Sequence, residues 1–232
     1  MEKLTVLYED NHCIVVVKPQ NVPSQEDASG DKDMLTMVKE YIKEKYNKEG
    51  EAFVGLVHRL DRPTGGIMVF AKTSKGASRL SEQIKNGQMQ KTYYAVTTKT
   101  PQLKADTLCH FLKKDEKNNI VRIAPRSEKG VKEAKLSYKV LQTTDEMALV
   151  EVKLITGRSH QIRVQFAGIN CPLVGDNKYG KDKFSASTNL GLWAGRLEFL
   201  HPVTKQKMTF ACPPDTEKSP WNKFFMDKYF LR

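Results

Sequence analysis

The chain has 232 residues, 39% apolar and 28% charged, with a mean hydropathy of −0.53, enough length to bury a core without staples. No apolar run approaches the roughly 20 residues that cross a bilayer, and the N-terminal MEKLTVLYEDNHCIVV lacks the order of a secretory signal. Thirty-eight Lys+Arg against 27 Asp+Glu leave a charge of +11 and a pI near 9.4, a balance that attracts polyanions, nucleic acid above all. A solvated lysine-rich surface is the alternative. Cys13, Cys109, Cys171 and Cys212 are scattered without a C-x-x-C pair. That argues against a disulfide scaffold and a zinc ribbon and predicts a reduced, cytoplasmic setting.

Thr5–Tyr8 and Ile14–Lys18 read as two short strands about a turn at Glu9–His12, with Pro19 ending the second. Gln20–Asp33 is a polar loop. Over Asp33–Lys48, Leu35, Val38 and Ile42 recur at helical spacing and predict an amphipathic helix. A strand follows at Ile67–Lys72. Thr73 or Ser74 then caps a helix to about Asn86, with Ala77, Leu80 and Ile84 on one face and Gly87 as the stop. Further strands are predicted at Thr92–Thr97, Leu108–Leu112, Ile120–Ala124, Lys135–Leu141, Ala148–Leu154, Leu192–Phe199 and Lys207–Ala211. A helix over Ser159–Gly168 presents Ile162, Phe166 and Ile169 together, and Trp221–Phe230 reads as an aromatic-rich helix. Strands outnumber helices without a βαβ rhythm, which predicts the α+β class: a largely antiparallel mixed sheet with flanking helices, in a single domain over 1–232.

Four of the nine arginines fall in two short glycine-containing segments, and the planar guanidinium suits phosphate and carboxylate recognition. In Val57–Gly66 (VHRLDRPTGG), Asp61 lies between Arg59 and Arg62. Nearby cations keep a carboxylate ionised, available as nucleophile, base or ligand. A loop-anchoring salt bridge is the other outcome for such a cluster. Ile155–Arg163 (ITGRSHQIR) turns from a strand end into a helix, whose first N–H groups, with Arg158 and Ser159, suit an anion. Arg163 lies one helical turn after His160, for which a hydrogen-bonded structural role competes with substrate contact. In Lys91–Tyr94 (KTYY), alternation sends Tyr93 and Tyr94 to opposite sheet faces. Pro172–Gly180 (PLVGDNKYG) is a further turn with an acid.

HRLDRPTGG, KTYYAV, LITGRSHQIRV and PLVGDNKYG, in that order, resemble the catalytic domain of the RluA-type pseudouridine synthases, and the resemblance runs from about Tyr8 to Pro214. It implies an isomerase acting on uridine in structured RNA, ribosomal or transfer. By position it makes Asp61 the catalytic aspartate, Tyr93 the active-site tyrosine and Arg163 the arginine paired with the aspartate. Ile162 matches the apolar residue lining the uracil pocket, and Arg59, Arg62, Arg158 and His160 join it as substrate-binding candidates. Gly65 stands where serine is usual, Gln165 where histidine is common, and Pro19–Asn21 where Pro-x-Gly is common, departures that bear on substrate choice.

Isomerisation oxidises nothing and transfers no group in, so the expectation is no cofactor, no metal and no membrane, with structured RNA as partner of a monomer. With Tyr8 already entering the catalytic domain, RNA affinity is expected from that domain's own basic surface. A zinc nucleobase deaminase needs H-x-E and P-C-x-x-C, and neither is in the sequence. A non-catalytic RNA-binding module of the same fold is the remaining alternative.

Overall fold

A computed structural model describes residues 4–47, 49–180 and 188–230. In chain order its elements are β1 (Thr5–Glu9), β2 (Cys13–Lys18), α1 (Met34–Lys45), β3 (Gly55–Leu56), β4 (Gly65–Ala71), α2 (Ser74–Lys85), β5 (Gln90–Thr97), β6 (Ala105–Asp115), β7 (Ile120–Ile123), β8 (Lys132–Thr143), β9 (Ala148–Leu154), α3 (Gln161–Gly168), β10 (Leu192–Leu200) and β11 (Lys207–Ala211). The class is α+β, as the sequence pattern predicts. The last residue of the helix predicted over Asp33–Lys48 lies outside the described residues. The chain divides into two compact units, Met1–Gln90 with Ala194–Cys212, and Lys91–Trp193 with Pro213–Arg232.

In the first unit the strand order is β1-β2-β4-β10, with β3 on β4 and β11 on β10. All seven residues of β4 are buried, which its unbroken GGIMVFA run requires, since a strand covered on both faces has no place for polar alternation. Strand β2 runs antiparallel to it from Cys13↔Ala71 to Lys18↔Gly66. That register delivers Lys18 to the base of the loop preceding β4. Thr73 caps α2 by accepting from the Gly76 N–H at 3.0 Å. Leu80 of that helix packs with Cys13, Val15, Ile67, Val69, Leu197 and Phe199. Helix α1 starts at the Asp33 cap, which accepts from the Leu35 and Thr36 N–H groups, and buries Met34, Val38 and Ile42. The apolar face begins one residue before the predicted Leu35.

The second unit carries the order β5-β9-β8-β6-β7, antiparallel at each of these pairings. Strands β6 and β8 outrun the predicted spans because their ends pair as a ribbon rich in exposed polar residues, where no apolar pattern marks the strand. Helix α3 sets Val164 against Leu112, Val121 and Ala134, and Phe166 edge-on to Tyr138 at 5.4 Å. The helix predicted over Trp221–Phe230 is absent. Two 3-10 turns, Trp221–Lys223 and Met226–Tyr229, stand there instead, separated by extended Phe224 (φ −134°, ψ 151°). The break lets Trp221, Phe224 and Met226 all bury while Phe230 reaches the Tyr94 ring at 4.7 Å. One continuous helix would spread those side chains around its circumference.

Gly66 adopts φ +123°, and a Cβ there would lie 2.3 Å from the Ala194 carbonyl oxygen. Gly66→Ala is therefore expected to cost about 3 kcal/mol or more, from backbone strain plus overpacking, measured as a lowered urea midpoint.

Candidate active site

The segment between β3 and β4 carries Asp61, and the first unit fastens it at several backbone points. Ser24, buried, accepts from the Leu60 N–H at 3.1 Å while its hydroxyl donates to the Leu60 carbonyl at 2.8 Å. The Lys18 ammonium is fully buried and donates to the carbonyls of Pro19 (2.9 Å), Val22 (2.5 Å) and Arg62 (3.0 Å). Gln20 donates to the Pro63 carbonyl at 3.1 Å. The Val69 N–H donates to His58 Nε2 at 3.0 Å, so the ring proton of a neutral His58 sits on Nδ1. Between these anchors the Thr64 N–H closes a turn onto the Asp61 carbonyl at 2.9 Å. Asp61 itself is half-buried. Burial pulls the Lys18 pKa down to about 7, with the Asp61 carboxylate acting in the opposite direction and the Arg62 charge adding to the depression.

In the second unit Arg163, 6% exposed, grips Asp176, 1% exposed, through Nε to Oδ2 (2.8 Å) and a terminal nitrogen to Oδ1 (2.7 Å). Asp176 Oδ1 also accepts from the Lys178 and Tyr179 N–H groups. A buried charge is tolerable only when paired and fully hydrogen-bonded, and Asp176 meets that condition. The Tyr179 ring lies 5.1 Å from the Arg163 guanidinium carbon, within cation–π range. Its hydroxyl accepts from the Val121 N–H at 2.9 Å and lies 2.5 Å from His160 Nδ1. His160 occupies the left-handed region (φ 51°, ψ 19°) at the start of α3.

Of the residues singled out in the sequence, Asp61, Arg59 and Arg62 belong to the first unit and Tyr93, Arg158, His160, Ile162 and Arg163 to the second. Arg62 is engaged by Asp27 at 3.3 Å, by Asp31 and by the Ser29 hydroxyl at 2.7 Å, so the loop that reads as merely polar supplies its counter-charges. Arg59 and Arg158 are exposed, and Arg158 Nε donates to the Glu133 carbonyl at 2.9 Å. Ile162 is 4% exposed. Tyr93 and Tyr94 are both buried, Tyr94 under the C-terminal rings. Asp176, the partner of Arg163, is a residue to which the sequence assigns no role. Its signal was an acid inside an otherwise apolar and glycine-rich turn.

Asp10, Cys13 and His201 bring metal-ligand atoms within 4.8 Å of one another. The His201 Nδ1 accepts from the Val203 and Thr204 N–H groups, which leaves Nε2–H to donate to Asp10 at 2.7 Å. A metal on Nε2 would move the proton to Nδ1, against two N–H groups already aimed there. The cluster is a hydrogen-bonded latch between the β1–β2 turn and the end of β10. Burial would raise the Asp10 pKa, but the N–H groups of Cys13 and His12, together with His201, hold it below the usual carboxylate range.

Lys18→Met leaves three half-buried carbonyls without this donor and is expected to cost about 3 kcal/mol. The folded pKa near 7 lies below the unfolded value of about 10.4. Between the two the unfolded chain binds the extra proton, so this lysine makes stability rise with pH. Denaturant midpoints taken from neutral to about pH 10 should show that rise in the wild type, reduced in Lys18→Met. Asp176→Asn breaks a buried pair and is expected to cost about 3 kcal/mol. In a double-mutant cycle with Arg163→Met the two losses should fall well short of additive.

Residues 12–168 match the RNA pseudouridylate synthase family, a span holding Asp61, Tyr93 and Arg163. The chain is 30% identical over 217 residues to ribosomal large subunit pseudouridine synthase C of Vibrio cholerae, covering 90% of this chain and 65% of that protein. It is 28% identical over 249 residues to tRNA pseudouridine synthase C of Vibrio parahaemolyticus, covering 99% of this chain and 98% of that protein. The structure of human RNA pseudouridylate synthase domain containing 4 is similar with a TM-score of 0.76 at 25% identity, over 91% of this chain and 88% of that one. The chain thus spans just under two thirds of the Vibrio cholerae protein's length and nearly all of the Vibrio parahaemolyticus protein. By the family match across most of its length, this chain belongs to the RNA pseudouridylate synthase family.

Proposed function

We propose that this chain is an RNA pseudouridine synthase that isomerises uridine to pseudouridine in structured ribosomal or transfer RNA, with Asp61 as nucleophile. The observation that carries the reading is the fastening of the Asp61 loop on both sides: Ser24 at Leu60, Lys18 at Arg62 and Gln20 at Pro63. Groups held before the reaction need no reorganisation during it. Relatives named for ribosomal and for transfer RNA supply the substrate class.

The reaction breaks the bond between ribose C1′ and uracil N1 and forms one between C1′ and C5. The hydrogen on C5 leaves as a proton and N1 gains one, so composition is unchanged and no oxidant or group donor enters. A carboxylate nucleophile divides this into two easier steps. By the family resemblance Arg163 is the partner that keeps the catalytic aspartate ionised, and it is itself oriented by Asp176. Tyr93 offers its ring to the uracil, with Ile162 as an apolar wall. The target must leave its stack, at a cost of a few kcal/mol. Arg59 and Arg158, both exposed, contact phosphates or fill the vacated space. Arg62 joins them by exchanging Asp27 and Asp31 for phosphate, and His160 lines the substrate side of α3. The enzyme acts as a cytoplasmic monomer and needs no cofactor.

Asp61→Asn keeps shape and removes the charge. Release of tritium from RNA labelled at uracil C5 should fall by at least about a thousand-fold, in keeping with loss of covalent and acid–base catalysis, while RNA binding persists. Wild-type protein that binds RNA without releasing tritium would make the chain a binding module instead, and near-normal release by the variant would remove Asp61 from the mechanism.

A further inference from the structure

The second unit holds a cleft of about 280 Å³ between the end of β6, the start of β8 and the turn before α3. Its floor is Leu112 and Val121, both under 5% exposed, which pack with Ala134, Val164 and Tyr179. A floor fixed in the core makes the cleft a preformed feature rather than a gap between mobile side chains. Lys114, Lys132, Arg158 and Ser159 line it, and among the described residues Glu116 is the carboxylate that borders it. Glu116 is 78% exposed and pairs with Lys114. An exposed pair of that kind contributes little, so Lys114 can exchange it for a stronger anion.

Gly157 is the informative residue. Its φ lies outside the left-handed region, and a Cβ there would meet nothing within 4 Å. The fold itself therefore does not require glycine at 157. The missing side chain leaves bare backbone facing the cleft, which favours close approach of a ligand. Gly130, across the cleft, takes φ +84° and is needed for its turn. Among the described residues no aromatic ring lines the cleft, so these residues offer no platform on which bases stack. Cations, a hydroxyl and exposed backbone are the groups that meet phosphate and sugar.

We infer that this cleft binds the sugar–phosphate backbone of the RNA substrate, positioning it without reading its sequence. The inference rests on the pseudouridine synthase reading for the identity of the polyanion. The cleft also adjoins the groups around Arg163. Val121 in its floor donates to the Tyr179 hydroxyl, and the Tyr179 ring lies over Arg163. Backbone held here is registered against the arginine of the proposed active site.

The test uses the full chain, unmodified ribosomal and transfer RNA transcripts, and an oligouridylate of about 20 nucleotides, a length spanning several phosphate contacts. Salt titrations of binding are run beside tritium release. Lys114→Ala/Lys132→Ala should weaken binding to every RNA by at least about ten-fold and make the log–log salt slope shallower by roughly 1.4 to 1.8, two contacts' worth. The catalytic loss should fall mainly on KM. Glu116→Gln should tighten binding about two-fold or more by removing a repelling charge. Gly157→Leu should keep the thermal midpoint yet weaken binding, whereas Lys43→Ala, on exposed α1, should leave affinity and slope alone. Wild-type turnover alongside a double-lysine variant with unchanged affinity and slope would overturn the cleft and leave the isomerase reading intact. Absence of pseudouridine formation by the wild type, with the lysine effects present, would overturn that reading and support the cleft as an RNA surface.

Discussion

A loop that must hold a reactive carboxylate has to put its own backbone somewhere, and here three of the carbonyls around it point inward onto one ammonium group. Lys18 donates to Pro19, Val22 and Arg62 from a fully buried position. Three donors at a single point suit two carbonyls of the 19–22 stretch and one of the Asp61 loop, a task a planar guanidinium or a hydroxyl performs less well. The lysine arrives there through the β2–β4 register, which sets it opposite Gly66 at the loop's end. Burial works against its charge, and the Asp61 carboxylate works for it. The group proposed to react therefore helps to sustain the group that shapes its loop.

The second unit uses the same device with the signs reversed. Buried Asp176 gathers the Arg163 fork and the N–H groups of Lys178 and Tyr179. The tight turn of the 172–180 segment and the direction of Arg163 are thereby one structural event. Tyr179 extends it, reaching Val121 and His160 through one hydroxyl. His160 accepts a left-handed conformation that costs of order 1–3 kcal/mol for a residue bearing a Cβ. Its hydrogen bond to Tyr179 helps to over-determine that conformation.

Sequence periodicity exposed the strands and helices whose burial follows their own pattern. The CIVVVK and GIMVFA runs and the Leu80 face of α2 belong to that class. It failed at the C-terminus, where Trp221, Phe224 and Met226 bury from alternating short turns because tertiary packing outweighs local helical spacing. The two-residue β3 is too short for any period to mark. At the site, residue type and motif identified Asp61 and Arg163 as charges of interest. The partners were less legible: Lys18 reads as a strand-end lysine, Ser24 as a loop residue, and Asp176 as an unassigned turn acid. Each acquires meaning only from a hydrogen bond spanning 13 to 44 positions along the chain.

Strand β10 begins in the second unit and ends in the first, where Leu197 and Phe199 complete the packing around Cys13, Val15 and Val69. The ribosome therefore releases the first ninety residues long before their last core strand exists. The β4 run, apolar throughout, waits uncovered along one edge while residues 91–193 are synthesised. Contacts of such long sequence separation form slowly, and an unpaired apolar edge in that interval invites association with other chains. Chain order thus interleaves the two units: the first waits for β10 and β11, and the second waits in turn for the segment after residue 212 that carries buried Trp221, Phe224 and Met226.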